Sequence, residues 1–162
     1  RTDSGVGNQL LGVVGVAPID WLNDPLWARV ALIASITWRW TGYNMVILLA
    51  GLQAIPRETF EAAAIDGADE RATFRRVTVP LLRPVILFTL VTSTIGTLQL
   101  FDESWILTRG GPANATLTPV IYLYKIGFQG LDFGYASAIA WLVVVVIGLL
   151  SLLQFRFLGR ES

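Results

Sequence analysis

Three side chains close together in the sequence could recognise a polar solute. Trp40, Tyr43 and Asn44 lie within a stretch of five residues. An aromatic ring offers an apolar face for the C–H groups of a sugar, and an amide offers a donor and an acceptor for its hydroxyls. The same side chains also serve as packing residues or as anchors at a membrane surface. Both interpretations stay open from these residues alone.

A second candidate for chemistry is a stripe of polar and small residues further along the chain. At 100° per residue these residues fall on one helical face, with Thr97 at its margin. The stripe consists of Thr89, Thr92, Ser93, Gly96, Gln99 and Glu103. Polar groups that face lipid are costly, so the stripe is expected to face protein or a water-filled path. Helix packing explains it as well as a solute path does.

The composition argues against a role in catalysis, metal binding or nucleic-acid binding. The chain contains no histidine and no cysteine, and its formal net charge is zero. These absences remove the commonest general base, the commonest metal ligand and the thiolate nucleophile, and a nucleic-acid partner normally requires a basic surface. We therefore predict no catalytic residues, no metal and no cofactor. An intramembrane enzyme would need clustered ionisable or nucleophilic residues, and Arg39 is the only charged residue in the apolar runs 30–52, 85–101 and 133–155.

The elements that position these residues are long apolar runs. Hydrophobic residues make up 54% of the 162 positions and charged residues 15%, compared with about 25% charged in ordinary soluble domains. About 20 apolar residues in a helix span a bilayer. We predict transmembrane helices at 30–54, 85–102 and 133–155. Buried helices of a large soluble protein are the alternative, but so short a chain would leave little surface to cover three of them.

The connecting segments differ in their content of basic residues. Segment 55–84 contains five arginines, whereas 1–29 (an external loop with a short interfacial helix) and 103–132 contain few basic residues, and the tail at 156–162 adds two more. Basic residues favour the cytoplasmic side. We therefore predict a multi-pass protein of a bacterial-type inner membrane with the 55–84 loop and the C-terminus in the cytoplasm. Because residue 1 is an arginine and no signal-peptide pattern precedes the first run, we also expect the chain to be a fragment of a longer protein, with room for further spans in the missing part.

The 55–84 loop is predicted to form two short helices. Pro56 fits a first helical position, and Gly67 can close the first helix in a left-handed turn. Asp69 can cap the second helix, which Pro80 and Pro84 are expected to separate from the next span. A solvated connector between two spans is the simpler interpretation of such a charged loop.

The same loop contains a spaced motif that resembles the cytoplasmic signature of permease subunits of binding-protein-dependent ABC importers. The motif consists of Glu61, Ala62, Ala63, then Gly67 after three residues, and Val77, Val79 and Pro80 after nine more. The resemblance implies an all-α, polytopic membrane helix bundle of the type I importer permease kind, with this chain as the C-terminal three spans of a six-span subunit. It also implies that five of these residues couple the subunit to an ATPase, namely Glu61, Ala62, Ala63, Gly67 and Pro80.

The resemblance further implies a set of partners. They are a cytosolic ABC ATPase that binds the ATP, a second permease subunit, an extracytoplasmic solute-binding protein and membrane lipid. The chain itself has no phosphate-cradling Gly-x-x-x-x-Gly-Lys-Ser/Thr loop, so it is not expected to be the nucleotide-binding subunit.

Two other segments resemble carbohydrate permeases of the maltose and glycerol-3-phosphate type. They are Leu107-Thr108-Arg109-Gly110-Gly111-Pro112 and Gly42-Tyr43-Asn44-Met45. This resemblance implies a carbohydrate substrate, with Trp40, Tyr43, Asn44, Ser93, Thr97 and Gln99 as candidates for the solute path. A permease for a non-sugar solute and a membrane assembly subunit without transport activity are the alternatives.

Overall fold

The computed structural model describes residues 5–159, and these residues form helices and connecting turns without a β-strand. The elements are α1 (Val6–Val13), α2 (Pro25–Gln53), α3 (Arg57–Ile65), α4 (Glu70–Thr73), the π-helix π1 (Phe74–Thr78), α5 (Val79–Leu98), α6 (Asp102–Thr108), α7 (Pro119–Tyr124), the π-helix π2 (Lys125–Gln129) and α8 (Phe133–Leu158). Arg1 and Arg160, two of the charges used to predict sidedness, lie outside the described residues.

The described residues divide into two compact units. The first unit contains residues 5–38 and 99–142, and the second contains residues 39–98 and 143–159. Helices α2 and α8 each contribute residues to both units. The candidate coupling loop and most of the candidate solute-path residues therefore belong to the second unit.

Two stretches of helix are long and apolar enough, by length and composition, to cross a membrane. They are α8, Phe133–Leu158, and the run Glu70–Thr108, which contains α4, π1, α5 and, after a short turn, α6. Only 6% of the most apolar part of each is buried. A core helix of a soluble protein would be mostly buried, whereas α8 exposes large side chains such as Leu152. The exposed apolar surface fits lipid contact better than the soluble alternative.

Helix α2 corresponds to the first predicted span. It is continuous over 29 residues, and the Asp24 carboxylate caps its start by accepting from the backbone N–H groups of Leu26 at 2.8 Å and Trp27 at 3.0 Å. It is not among the helices that are apolar enough to cross a membrane by composition. The reason is its central run of polar and charged residues, which includes Arg39 and Asn44. Its crossing of the membrane stays a prediction.

The predicted break before the second span is wrong. Helix α4 continues through π1 into α5 without interruption, and Pro80 lies in the first turn of α5 while Pro84 lies inside it. In π1 the Val79 N–H donates to Phe74 O, five residues back. In this wider turn the α-helical hydrogen bonds are replaced by π-helical ones just before Pro80. The helix can therefore continue although Pro80 has no N–H to donate. At Pro84 a single backbone bond is lost, which helices in membranes accommodate.

In the first unit, α1 is held against the segment after it. The Asn8 amide donates to Ile19 O at 2.8 Å, and its carbonyl oxygen accepts from Ile19 N–H at 3.1 Å and from the Trp21 indole N–H at 2.8 Å. Trp21 in turn packs edge-on against Trp27 in the first turn of α2, with 5.1 Å between ring centroids. A single buried asparagine therefore fixes α1 near the start of α2.

The 99–132 segment of the first unit has a polar core that the sequence patterns did not reveal. Ser104 is fully buried, and its hydroxyl donates to Thr116 O. The Thr116 hydroxyl donates to Gly111 O at 2.8 Å, and the Thr118 hydroxyl donates to Leu100 O at 2.6 Å. These hydrogen bonds join α6 to the loop before α7, and they join that loop to the residues just after α5.

Candidate functional site

Helix α3 ends in a turn that requires a left-handed residue. Gly67 has a φ of 75°. Its N–H donates to Ala64 O at 3.1 Å, and the next N–H, that of Ala68, donates to Ala63 O at 3.0 Å. These two bonds form a Schellman motif, in which glycine is favoured because it has no Cβ. The predicted role of Gly67 in closing this helix is confirmed.

Helix α4 begins two residues after this turn. The Asp69 carboxylate accepts from the Ala72 N–H at 2.6 Å, which confirms the predicted cap. Pro56 differs slightly from its predicted place, because it precedes α3 as the N-cap residue with a ψ of 137°. Its extended backbone directs the chain into α3 without being part of the helix.

Most of the proposed coupling residues lie at the surface of this hairpin. Glu61, Ala62, Gly67 and Pro80 are exposed, whereas Ala63 is buried. A Cβ atom added at Gly67 would have no neighbour within 4 Å. Ala63 lies in a groove of about 500 Å³ that is lined by the hairpin and by π1. Glu61, Ala62 and Gly67 therefore lie on the open surface of the hairpin, Pro80 is exposed on α5, and the exact partner contacts stay a prediction.

Two of the candidate solute-path residues meet between α2 and α5. The Asn44 amide donates to the Ser93 hydroxyl at 3.0 Å, and that hydroxyl lies 3.3 Å from the Asn44 carbonyl oxygen, which can accept its proton. The pair is partly buried, 49 positions apart in sequence. The structure thus joins one residue of the aromatic cluster with one residue of the polar stripe.

Trp40 occupies a notch in α5 one turn away from that pair. A Cβ atom at Gly96 would collide with the Trp40 ring, so only glycine leaves room for the indole. The Trp40 and Tyr43 rings are perpendicular, with centroids 5.5 Å apart, and the Arg39 guanidinium carbon lies 5.3 Å from the centroid of the indole. The Trp40 indole N–H is buried without a partner among the described residues.

The remaining candidates are not part of this cluster. Thr97 is exposed on α5. Gln99 lies in the turn after α5, which ends at Leu98, and Glu103 lies on α6. The prediction of a single helical face running through Glu103 is therefore wrong for its last two members, because the helix stops before them.

Other members of the stripe satisfy their hydroxyls within their own helix. The Thr89 hydroxyl donates to Ile86 O at 2.9 Å, and the Thr92 hydroxyl donates to Phe88 O at 2.8 Å. A threonine bonded in this way needs no water and no solute. Ser93, through its bond to Asn44, and Gly96, which leaves room for the Trp40 ring, are stripe members that contact α2.

Sequence reasoning missed a contact between α5 and α8. The Gln154 amide donates to the Thr94 hydroxyl at 2.7 Å, and Thr94 lies outside the stripe. The available signal was Gln154 itself, a polar residue in an otherwise apolar helix. An interhelical hydrogen bond of this kind is typical of packing in membranes.

The second unit contains an apolar groove of about 1130 Å³. It is formed by α2 on one side and by the hairpin and α5 on the other, and it runs from Asn44 to Glu70. Its wall is mostly aliphatic, so it offers few partners for sugar hydroxyls. It does not suit a polar solute, and the Asn44–Ser93 pair at its end is chemically the better candidate.

The comparisons with known proteins agree with the geometry. The model of the family described as "binding-protein-dependent transport system inner membrane component" matches residues 6–161. The chain belongs to this family. As a member of it, the chain is an inner-membrane component with the type I importer permease fold, and the predicted all-α permease architecture is confirmed.

Curated relatives of this inner-membrane component are named as sugar transport permeases. The lactose transport system permease protein LacF of Rhizobium radiobacter is 52% identical over 98% of this chain and 54% of its own length. The trehalose/maltose transport system permease protein MalF of Thermococcus litoralis is 41% identical over 88% of this chain and 48% of its own length. The chain thus spans about half the length of these relatives.

Two solved structures share the fold. A chain of a bacterial ABC transporter involved in the import of the acidic polysaccharide alginate superposes with a TM-score of 0.82, at 27% identity, over 98% of this chain and 56% of that chain. A chain of the bacterial alginate transporter in complex with an alginate pentasaccharide-bound periplasmic protein gives a TM-score of 0.80, also at 27% identity, over 94% of this chain and 53% of that chain.

Proposed function

We propose that this chain forms part of the permease subunit of an ATP-driven carbohydrate importer. In this proposal it provides the solute path and couples it to a separate cytosolic ABC ATPase, with a second permease subunit and an extracytoplasmic solute-binding protein completing the assembly. ATP is bound by the ATPase, and this chain catalyses no reaction. The observation that carries the proposal is the exposed, Schellman-closed hairpin in a chain of the transport family.

The hairpin is suited to receiving force from a soluble partner. Its surface presents the Glu61 carboxylate and the small Ala62 and Gly67, so a partner surface can approach the backbone closely. Ala63 supports this surface from inside, and Pro80 lies where the hairpin joins α5. Movement of an ATPase bound here would be passed directly to the start of α5.

The uninterrupted helix from α4 to α5 then acts as a lever. It runs from Glu70 to Leu98 without a break, and Ser93 lies near its far end in contact with Asn44 on α2. A rotation or shift of α5 driven from the hairpin would separate this pair. Coupling thus reaches the candidate solute path through one rigid element.

The solute path is proposed to include the Asn44–Ser93 contact and the other polar and aromatic candidates that were predicted from the sequence. They are Trp40, Tyr43, Asn44, Ser93, Thr97 and Gln99. An amide and a hydroxyl that bond each other without solute can exchange that bond for sugar hydroxyls, at little net cost. The indole N–H of Trp40, which has no partner within residues 5–159, would gain an acceptor from the same solute.

The proposal is tested by solute-stimulated ATP hydrolysis in the complete reconstituted transporter. We expect stimulation by binding protein loaded with an oligosaccharide, and none by binding protein loaded with a peptide or an oxyanion. Asn44→Leu should reduce the stimulation by about tenfold, the value of one lost hydrogen bond to a polar solute.

The matched control for that substitution is Thr92→Val, because the Thr92 hydroxyl is satisfied within its own helix. Stimulation by a non-sugar solute would favour the permease for another substrate class. A complex that binds no ATPase and responds to no solute would favour an assembly subunit.

The proposed sidedness is tested separately by thiol labelling. The chain contains no native cysteine, so single cysteines can be introduced without background. We expect Asn114→Cys to react with an impermeant reagent added outside sealed cells, whereas Thr73→Cys reacts only after the membrane is opened. Labelling of position 73 from outside would contradict a cytoplasmic hairpin and, with it, a cytoplasmic C-terminus.

A further inference from the structure

Helix α1 exposes a stripe of aliphatic side chains that no described residue covers. Val6, Leu10 and Val13 are exposed by 73%, 66% and 86%. Their spacing of four and three residues places them on one side of the helix. No charged residue interrupts this stripe, so in water it would be an unfavourable apolar surface.

The opposite side of α1 is the side that the protein holds. Asn8 lies two positions, or about 200°, from Val6 around the helix, and it makes three hydrogen bonds to Ile19 and Trp21. Gly7 faces the Trp21 ring, since a Cβ atom there would lie 3.6 Å from the indole nitrogen. These contacts fix the orientation of α1, with its aliphatic stripe turned away from Ile19 and Trp21.

The same contacts fix the level of α1 along α2. Trp21 packs on Trp27, and Trp27 precedes the predicted start of the hydrocarbon span at Val30 by three residues, or about 4.5 Å of helix. The headgroup layer is about 5–7 Å thick on each side of a bilayer. Tryptophans are enriched in this layer, and the Trp21–Trp27 pair lies at its height.

We propose that α1 lies on the membrane surface with Val6, Leu10 and Val13 inserted into the boundary between headgroups and acyl chains. The inference rests on the proposed membrane crossing of α2. An uncharged helix that is held at headgroup level, with its apolar side turned outward, meets lipid there. In this position α1 anchors the outer end of α2 and keeps the Trp21–Trp27 contact at a constant depth.

The experiment measures the depth of three positions in the full transporter reconstituted in lipid vesicles. Single cysteines replace Leu10, Gly12 and Val46, and each is labelled with a bimane fluorophore. Gly12 is the matched control, because it lies on α1 away from the stripe with open space around it. Val46 is exposed within α2 and reports on the membrane crossing itself. Lipids carry a nitroxide quencher either at the headgroup or near the end of the acyl chain.

We expect Leu10-bimane to be quenched more strongly by the headgroup nitroxide than by the deep one, and more strongly than Gly12-bimane. Val46-bimane should be quenched chiefly by the deep nitroxide. Absence of quenching at Leu10 together with deep quenching at Val46 would overturn the inference and leave the permease proposal intact. Absence of deep quenching at Val46 would instead remove the membrane crossing of α2 on which the inference rests.

If a protein and not lipid covers the stripe, the fluorescence experiment gives a different result. If added solute-binding protein changes the emission of Leu10-bimane while neither nitroxide quenches it, the stripe is a docking surface for that protein. The lipid assignment is then wrong.

Discussion

The two polar connectors in this chain are built in opposite ways. The 99–132 segment of the first unit buries its hydroxyls, with Ser104 fully inaccessible and bonded to Thr116 O. The α3–α4 hairpin of the second unit instead relies on backbone geometry at Gly67 and one cap at Asp69, and its carboxylates stay exposed. The hydroxyls of Ser104, Thr116 and Thr118 are satisfied within the first connector, whereas the carboxylates of the second are exposed.

Because of this difference, we expect the first connector to contribute mainly to stability and the second mainly to coupling. A buried hydrogen-bond network stabilises the fold because each lost partner leaves a desolvated group behind. An exposed hairpin adds little to stability, but its shape determines what can bind it. Substitutions in the two connectors should therefore affect different measurements.

The largest effect on stability is expected in the 99–132 segment. Ser104→Ala leaves the buried Thr116 carbonyl without this donor, which should lower the free energy of unfolding by about 1–3 kcal/mol. Thermal unfolding of the purified subunit measures the loss, with Ser137→Ala at an exposed position as the control. The ratio of stimulated to basal ATP hydrolysis should not change. An equal loss in both variants would mean that the network adds nothing.

A smaller effect, and one on coupling, is expected at Gly67. Gly67→Val forces a β-branched residue into a left-handed conformation, at a cost of about 1–2 kcal/mol, although the space around it is open. ATPase co-purification should fall by about tenfold, while membrane insertion is unaffected. Gly67→Asn is the matched variant, because asparagine tolerates this conformation. Normal ATPase binding by the valine variant would show that the turn does not shape the docking surface.

The smallest effect is expected at Glu61. This carboxylate is exposed, and an exposed ion pair contributes about 0.2–1 kcal/mol. Glu61→Ala and Glu61→Gln should each weaken ATPase association by a few-fold, measured by titration at low and high salt. The weakening should disappear at high salt, because screening removes the charge contribution in the native protein as well. A loss that is independent of salt would point to packing and not to charge.

Local signals in the sequence predicted the local structure well. The turn was predicted from Gly67 and the cap from Asp69, because backbone conformation and capping depend on residues within a few positions. The Asn44–Ser93 contact was anticipated only in part, since each residue was assigned to a candidate path separately. The length and apolar composition of α5 and α8, which suit a membrane crossing, were also predicted from the sequence, whereas the crossing itself stays a prediction.

Contacts that depend on distant residues could not be predicted in this way. Periodicity gives no sign that Ser104 bonds Thr116 or that Gln154 reaches Thr94, because each partner lies on another element. The continuity of α4 and α5 was missed for a different reason. Pro80 and Pro84 normally indicate a break, and π1 has no sequence signature that would have shown how the first of them is accommodated.

The π-helix also determines how far the hairpin is rotated around the helix axis relative to α5. Successive residues of an α-helix are rotated by about 100° around its axis, so the additional residue in a π-turn rotates the helix before it by about that amount relative to the helix after it. The direction in which the hairpin faces, relative to the side of α5 that carries Ser93, is thus encoded by the number of residues in Phe74–Thr78. Substitution within this segment would preserve that direction, whereas deletion of one residue would turn the hairpin by roughly a quarter of a circle.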